Sequence, residues 1–454
     1  MAGPLEGFRI VDLTAYVAGP LATMILADQG AEVIKVEPPG IGDVWRYVGT
    51  ARGGMSAMFA SCNRSKRSMA LNLKDPRGRG LLEQLVSRAD VLVQNFRPGV
   101  VERLGIDEAR MREVKPDLVY VSITAFGHEG PYARRPAFDP VVQAISGTAS
   151  VQKDRETGAP QLVQQALCDK VTAHSVAQSI TAALLARERG AGGQHLRVSM
   201  LDTAIAFLWL DGMANHTILE DDAVVHPPIS IAFRTFATSD GHIVVAPITD
   251  AQAHGLFRVL GREDLIDDPR FAHVEARFRH VDEMIAECTG ELREVTTEEI
   301  LERLVAEQVP CGPVVALGEL HEHPQVRANG TLAETEHPKM GRLREPRPPV
   351  RFAATPAEIR RPAPSLGEHT DELLAEIGVA PREVGDLREK GVVGWPAFLT
   401  RSRSETVQIR ALVREIGVRP RRRTGQYVEE PDVDFSRQSA EMCRRSSDLV
   451  RNAG

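Results

Sequence analysis

An acidic residue at the start of an alanine-rich segment is the first candidate for chemistry. Asp169 opens residues 169–187, whose pattern predicts a long helix. A carboxylate in the first turn of that helix would be favoured by roughly 0.3–1 kcal/mol through the helix dipole. This predicts a group that stays ionised and is available to attack. Most aspartates at such a position cap the helix instead, and the residue taken alone favours the cap.

The elements that would position Asp169 alternate between strands and helices. Short apolar runs predict strands at residues 9–13, 32–37, 68–73, 90–94, 118–123 and 195–200. Between them, Gly19-Pro20 opens one helix, and Asp75-Pro76 caps and begins another. Strand–helix alternation with short connections predicts an α/β fold whose large domain has a Rossmann-like, mostly parallel sheet.

The sequence pattern changes near residue 227. Residues 233–237 and 242–246 flank Ser239-Asp240-Gly241, which is typical of a hairpin, and Thr296 with Glu299 predicts a capping box. We expect a smaller α+β domain here. The predicted segments are a large domain at 1–200, a linker at 201–226, the small domain at 227–320, a return to the large domain at 321–393, and a basic extension at 394–454.

Composition and missing motifs exclude several classes of protein. The net charge of −7 argues against a general nucleic-acid binder, and no apolar run reaches the roughly 20 residues that span a bilayer. Five scattered cysteines predict free thiols in a reducing, cytoplasmic setting, and no metal site is expected. Dinucleotide, P-loop and G-x-S-x-G signatures are absent from the sequence.

Nine short motifs occur along the chain in an order that carries a family resemblance. They lie at residues 7–20, 30–37, 40–43, 72–74, 95–99, 126–132, 192–194, 310–314 and 366–370. Together they resemble the class III CoA-transferases, a family that also contains the α-methylacyl-CoA racemases. The resemblance covers about residues 3–393. It implies an interlocked homodimer that acts on an acyl-CoA thioester and a carboxylic acid, with succinyl-CoA a possible donor.

The resemblance also implies roles for individual residues. Asp169 matches the family nucleophile, which forms a mixed anhydride and then an aspartyl-CoA thioester. Asp139 matches an acidic residue near the family site, where it would orient a substrate or help to move a proton; equally, it is a turn residue before Pro140. The residues implied to bind coenzyme A or line its channel are Tyr16, Val17, Leu71, Lys74, Asn95, Phe96 and Arg103. Some members carry an arginine where this chain has Pro38, and Arg97 is the candidate replacement.

Two other functions stay open at this stage. An α-methylacyl-CoA racemase would share the fold, but it needs two acid–base groups, and Phe138 stands where racemases carry a histidine. A catalytically silent CoA-binding protein is the other alternative, and the retained Asp169 argues against it. The glycine-rich loop of formyl-CoA transferases is missing between Val225 and Asp250, which disfavours a formyl or oxalyl substrate.

Overall fold

The computed structural model describes residues 3–394. Contacts divide the chain into two compact units. The first takes the described residues up to Ile205 and from Ala333 onward, and the second is Ala206–Leu332. Apart from Gly394, the extension predicted for 394–454 lies outside the described residues.

A six-stranded parallel sheet organises the first unit and confirms the predicted α/β class. In spatial order its strands are Arg67–Ala70, Glu32–Glu37, Arg9–Asp12, Val91–Gln94, Val119–Thr124 and His195–Ser199. The strand Arg9–Asp12 lies in the middle, with Val11 paired to Ile34 on one side and to Leu92 on the other. The carboxyl ends of these strands therefore meet at one edge of the sheet, which is the usual place for a ligand site in such folds.

Helices cover both faces of this sheet. Those of the first unit are Ala18–Asp28, Ala57–Asn63, Pro76–Val86, Val100–Leu104, Glu108–Val114, Asp139–Ile145, Thr148–Val151, Leu167–Ala186, Thr370–Glu376 and Pro381–Glu389, with Val44–Tyr47 a 3₁₀ turn and Arg187–Ala191 a π turn. A short antiparallel pair joins Ala51–Arg52 to Met55–Ser56, and Leu332–His337 pairs with Gly341–Pro346 in a second two-stranded sheet. The helix Met200–Gly212 begins in the first unit and ends in the second.

Apolar residues on both faces of each strand explain this layering. Val11 and Leu92 face a core that includes Leu82 and Leu373, whereas Ile10 faces a second core on the opposite side. Strands buried on both faces are typical of parallel sheets and give the continuous apolar runs seen in the sequence. Asp75 caps the helix Pro76–Val86 by accepting from Arg77 N, as predicted.

The second unit has its own core around a small antiparallel sheet. Its strands are Phe236–Ala237, His242–Val245 and Cys311–Pro313. Its helices are Asp250–Val259, Val274–Arg279, Val281–Arg293, Thr297–Ala306 and Pro324–Ala328, with 3₁₀ turns at Ala214–His216, Ile229–Ala232 and Glu263–Leu265. Phe257, Ile243 and Leu304 are buried at its centre. The α+β character predicted for this part of the chain is confirmed.

Some predicted boundaries differ from the structure. The strand predicted at 68–73 ends at Ala70, because Leu71 forms an isolated bridge with Val393 instead. The strand predicted at 233–237 covers only Phe236–Ala237. Thr296 caps its helix through Glu299 N, whereas the complete capping box is formed by Thr249 and Gln252.

Buried ion pairs lie beneath the carboxyl edge of the large sheet. Lys66 Nζ is 2.9 Å from Asp12 Oδ2, and Lys35 Nζ is 3.1 Å from Asp43 Oδ2. Burial opposes the charge on Asp12, but Lys66 and Lys35 outweigh it and hold the pKa of Asp12 well below its usual range. Burial lowers the pKa of Lys66 to about 8 despite the attraction of Asp12. Charges in such a position are tolerated only because each one has partners.

Within residues 3–394, no helix is long and apolar enough to cross a bilayer.

Replacing Lys66 by Met is expected to lower the free energy of unfolding by about 3–5 kcal/mol, because Asp12 would stay buried without its cation. Denaturant unfolding at pH 7 measures this. Lys390→Met is the matched control, since Lys390 pairs with Asp386 on an exposed helix face. The control should cost only about 0.3–0.5 kcal/mol. Equal losses in the two variants would contradict a structural role for the buried pair.

Candidate active site

Asp169 lies where the first turns of two helices meet. It is the third residue of the helix Leu167–Ala186 and is partly buried. Its carboxyl group accepts a hydrogen bond from the backbone N–H of Ala18, the first residue of the helix Ala18–Asp28. The carboxyl group is therefore held by a helix N-terminus other than its own.

Asp139 holds the first turn of the Asp169 helix. It is 4% exposed, and its Oδ2 accepts from Asp169 N at 2.9 Å. Its Oδ1 accepts from Gln143 Nε2 at 2.6 Å. The same Gln143 amide bonds Val163 O and Gln165 O, which ties down the segment that leads into the Asp169 helix. Asp139 thus caps the Asp169 helix, and neither interpretation of it from the sequence included this contact.

Burial and Asp139 change the ionisation of Asp169. Removal from water, and then the like charge of Asp139, raise the pKa of Asp169 to about 7, while the bond from Ala18 N opposes them. The expectation that the helix dipole keeps this carboxyl group ionised is therefore wrong, because burial outweighs a dipole contribution of that size. Asp169 titrates near neutrality, a property often found at catalytic sites.

The loop of residues 14–17, called here the 14–17 loop, connects the central strand to the Ala18 helix. Tyr16 has a φ of 70°, and its ring meets those of Trp45 and Phe138 edge-on, with centroids 5.8 and 5.2 Å apart. Val17 is buried at the N-cap of the Ala18 helix. The two predicted channel residues Tyr16 and Val17 are therefore adjacent in sequence to the group that contacts Asp169.

Two of the residues predicted to hold coenzyme A serve the fold. The Asn95 amide is engaged with the 14–17 loop: Oδ1 accepts from Ala15 N at 3.0 Å, and Nδ2 donates to Ala15 O at 2.8 Å. Leu71 is 1% exposed and belongs to the hydrophobic core, so its side chain offers no surface to a ligand here. The prediction that the Leu71 side chain lines a channel is corrected by this burial.

The remaining predicted residues follow strands of the large sheet: Lys74, Phe96 and Arg97 lie on loops, and Arg103 lies on the helix Val100–Leu104. Lys74, Arg97 and Arg103 are exposed, and a Cβ built on Gly99 would lie 3.4 Å from Arg103 Nη1. Phe96 is partly buried against the core, and its N–H donates to Gln94 Oε1. Cys168 is buried beside Asp169, and burial together with the two nearby aspartates raises the pKa of its thiol to about 12. The thiol is therefore a packing group.

Sequence reasoning missed the residues that shape the 14–17 loop. Lys35 Nζ donates to Thr14 O at 2.8 Å, and Asp43 Oδ1 accepts from Tyr16 N at 3.3 Å. A signal was present, since Lys35 interrupts the apolar strand Glu32–Glu37 at a position that a parallel sheet buries. Asp43 belongs to the motif at residues 40–43, but nothing in the neighbouring sequence indicated that it would bond Tyr16 N. Among residues 3–394, no group of three or more potential ligands could hold a metal ion.

Comparison with known proteins decides the family. A family model described as CoA-transferase family III matches residues 5–370. The chain belongs to this family. The resemblance inferred from the short motifs is thereby confirmed, and the protein is a class III CoA-transferase.

Named relatives and solved structures agree with the membership. The chain is 34% identical to human succinyl-CoA:glutarate CoA-transferase, over 86% of this chain and 90% of that protein. It is also 34% identical to a succinate–glutarate CoA-transferase of Agrobacterium fabrum, over 84% and 97%. A CAIB/BAIF family protein from Brucella suis superposes with a TM-score of 0.72 at 31% identity, over 83% of this chain and 100% of that one.

Asp169→Asn is expected to stabilise this CoA-transferase increasingly as the pH rises. Because the pKa of Asp169 is raised from 3.8 to about 7, the wild-type folded state loses stability between these values, and the loss persists above them. The advantage of the variant should therefore grow from about pH 4 to pH 7 and reach up to about 4 kcal/mol. Denaturant unfolding across this pH range measures it.

Asp107→Asn controls for the general effect of replacing an aspartate at a helix start, since Asp107 caps Glu108–Val114 at the surface. A constant difference between Asp169→Asn and the wild-type protein at every pH would contradict the raised pKa.

Proposed function

We propose that the protein transfers coenzyme A from an acyl-CoA thioester to a carboxylic acid, with Asp169 as the covalent nucleophile. The observation that carries the proposal is the Asp169 carboxyl group, partly buried and held by Ala18 N, with a pKa near 7. At neutral pH a large fraction of such a carboxyl group is ionised and poorly hydrated. A desolvated carboxylate beside a backbone donor is suited to covalent catalysis.

In the proposed reaction, Asp169 forms an anhydride with the donor acid, then a thioester with coenzyme A, and then an anhydride with the acceptor acid. An Asp169 oxygen attacks the donor thioester carbonyl, the C–S bond breaks, and a mixed anhydride and CoA thiolate form. The thiolate then attacks the aspartyl carbonyl, which releases the donor carboxylate and leaves an aspartyl-CoA thioester. The acceptor carboxylate attacks that thioester and again frees the thiolate. Finally the thiolate attacks the acceptor carbonyl of the new anhydride, which yields the product thioester and regenerates Asp169.

Residues around Asp169 suit the demands of these steps. Negative charge develops on the oxygen of the aspartyl group when its carbonyl is attacked, and Ala18 N–H is already bonded to that group. Anhydrides hydrolyse readily, so water must be kept away. The Tyr16 ring contacts both Trp45 and Phe138, the residue before Asp139, and we propose that these three rings keep water from the site.

Coenzyme A is proposed to bind along the carboxyl edge of the large sheet. Lys74 follows the edge strand Arg67–Ala70, whereas Arg97 and Arg103 follow the strand Val91–Gln94. All three side chains are exposed, and we propose that they bind phosphates. Arg97 is proposed to replace the family arginine that is missing at Pro38. Tyr16, Val17 and Phe96 would contact the pantetheine arm or the adenine, and Asn95 would act mainly through the 14–17 loop that it holds.

The proposed substrates are succinyl-CoA as donor and a small dicarboxylic acid such as glutarate as acceptor. Support comes from the human and Agrobacterium fabrum relatives, whose names state this exchange. Formyl-CoA:oxalate CoA-transferase of Escherichia coli is also similar, at 29% identity over 87% of this chain. The missing glycine-rich loop between Val225 and Asp250 favours the first pair of substrates. A cytoplasmic location is proposed from the free thiols, four of which are described.

Asp169 is expected to become acylated during turnover. The protein is incubated with succinyl-CoA and then with hydroxylamine, which converts an activated aspartyl group to a hydroxamate. Peptide mass spectrometry should find the hydroxamate on Asp169 in the wild-type protein. Asp169→Asn should show no hydroxamate at this position and should lose at least 10³-fold in transfer rate, as expected when a nucleophile that acts with its surroundings is removed.

Asp107→Asn should keep the wild-type rate and labelling. Transfer by Asp169→Asn at the wild-type rate would rule out the covalent role. In a separate experiment, the wild-type protein is given a chiral 2-methylacyl-CoA in heavy water without an acceptor acid. Rapid entry of deuterium at the α-carbon would favour racemisation over transfer, since transfer leaves that carbon untouched.

A homodimer is proposed from the apolar surface of the chain. Large apolar side chains are exposed along residues 207–225, namely Phe207, Trp209, Leu210, Ile218, Leu219, Val224 and Val225. Leu210 and Leu219 are 88% and 89% exposed. So many exposed apolar side chains along one segment are typical of an interaction surface, and we propose that the interlocked dimer implied by the family resemblance covers them.

Light scattering at micromolar concentration is expected to give about twice the chain mass of 49.7 kDa. Leu210→Asp with Leu219→Asp should shift the protein toward the monomer, because an uncompensated charge in an apolar interface is strongly unfavourable. A wild-type monomer, or a double variant that remains fully dimeric, would contradict the proposal.

A further inference from the structure

Tyr16 has a backbone conformation that its side chain disfavours. Its φ of 70° lies in the left-handed region, which a residue with a Cβ adopts only when its surroundings hold it there. The next residues lead directly to Ala18, whose N–H meets the Asp169 carboxyl group. The conformation of Tyr16 therefore sets the direction in which this N–H points.

Side chains from outside the 14–17 loop bond the backbone groups of Thr14 and Ala15 and the N–H of Tyr16. Asp12 Oδ1 accepts from Thr14 N at 2.9 Å, and Lys35 Nζ donates to Thr14 O at 2.8 Å. Asn95 bonds both backbone groups of Ala15.

Asp43 completes this set at the strained residue itself, where its Oδ1 accepts from Tyr16 N at 3.3 Å.

Asp43 is in turn held rigidly by its own partners. It is buried, and its Oδ2 lies 3.1 Å from Lys35 Nζ. Its N–H donates to Glu37 Oε1 at 3.0 Å, and the same oxygen accepts from Arg46 Nε at 2.8 Å. Oδ1 also accepts from Trp45 N at 3.0 Å. The position of this oxygen is thus determined by strand Glu32–Glu37 rather than by the 14–17 loop.

We propose that Asp43 is a positioning residue for the reaction: its Oδ1 holds the Tyr16 peptide in the left-handed conformation and so aligns Ala18 N–H with the Asp169 carboxyl group. The inference rests on the proposed role of Asp169 as nucleophile. The position of the Asp43 oxygen acceptor, and not the charge of Asp43, is responsible for the effect. Asp43 acts through the 14–17 loop and not by direct contact with substrate or Asp169.

Moving the Asp43 oxygen and removing the Asp43 charge are expected to shift the pKa of Asp169 in opposite directions. Among the described residues, the groups that interact electrostatically with it are Asp139 from the helix Asp139–Ile145, Cys62 from Ala57–Asn63, and Cys168 on its own helix, together with Ala18 N–H. Misaligning Ala18 N–H removes a stabilising bond to the carboxylate and raises the pKa of Asp169. Removing a negative charge from Asp43 would, acting directly, lower it.

Two conservative variants separate these effects. Asp43→Asn keeps an oxygen in place for Tyr16 N but loses the charge, whereas Asp43→Glu keeps the charge and moves the oxygen by one methylene. The rate of Asp169 acylation by succinyl-CoA is followed from pH 5 to pH 9, together with KM. Because Asp169 must be ionised to attack, the rate falls on the acid side of its pKa.

Asp43→Glu is expected to slow acylation at the pH plateau by roughly 10²-fold, comparable to the loss of one oxyanion donor. Its acid limb should move to higher pH, with KM changed less than threefold. Asp43→Asn should retain a plateau rate within about fivefold of wild type, since it keeps the acceptor. Its thermal stability should fall, because buried Lys35 loses one of its three carboxylates and keeps Asp12 and Glu37. If Asp43→Glu fails to fold, Asp43→Ala takes its place, with the same expectation. Asp107→Ala serves as the control for loss of an aspartate cap.

A reversed order, with Asp43→Asn slow and Asp43→Glu normal, would overturn the proposal in favour of a charge effect. So would acid limbs that stay in place or move to lower pH in Asp43→Glu. Failure of the proposed function itself is seen separately, because the wild-type protein would then show no hydroxamate on Asp169.

Discussion

Charges buried beneath the carboxyl edge of the sheet impose the constraint on which the site depends. Asp12, Lys35 and Lys66 are fully buried, and each must find partners, because an unpaired ion there would cost several kcal/mol. The partners include backbone carbonyls as well as acids: Lys66 bonds Pro20 O, and Lys35 bonds Thr14 O. The chain between the first strand and the first helix must therefore place the carbonyls of Thr14 and Pro20 next to these lysines. In the conformation that does so, Tyr16 takes a left-handed φ of 70°.

This constraint brings opposing influences together at Asp169. Burial and Asp139 disfavour its charge, and Ala18 N–H favours it, so that its pKa lies near 7. If the Asp169 carboxyl group were exposed to water and bonded only by Ala18 N–H, it would be a well-hydrated and unreactive carboxylate. If it were buried without the Ala18 N–H, it would be protonated at neutral pH and unable to attack. The intermediate state requires an exactly placed donor and a dry surrounding, which explains why rigid, buried groups support a loop of four residues.

The sequence predicted the features that have local causes. Apolar runs located the six strands of the large sheet, and Asp75-Pro76 located a helix start, because these patterns follow from backbone geometry. Asp169 was identified through the family resemblance that the ordered motifs carry. The contacts of Asp43, Asn95 and Asp139 join residues that are far apart along the chain, up to 80 positions for Asn95 and Ala15. Only tertiary structure shows them. Leu71 illustrates the converse: the family resemblance implied a residue that lines the channel, and its side chain lies in the core.

The bonds of Asp139 also bear on the choice between transfer and racemisation. Racemisation needs a second group that gains and loses a proton beside Asp169. Both oxygens of Asp139 accept hydrogen bonds, one from Asp169 N and one from Gln143 Nε2. The Gln143 amide cannot turn around to accept a proton, because its Oε1 accepts from Val163 N while its Nε2 donates to Gln165 O. The Asp139 carboxylate is thus engaged in holding the Asp169 helix, which supports the proposed transfer, with Asp169 as nucleophile, over racemisation.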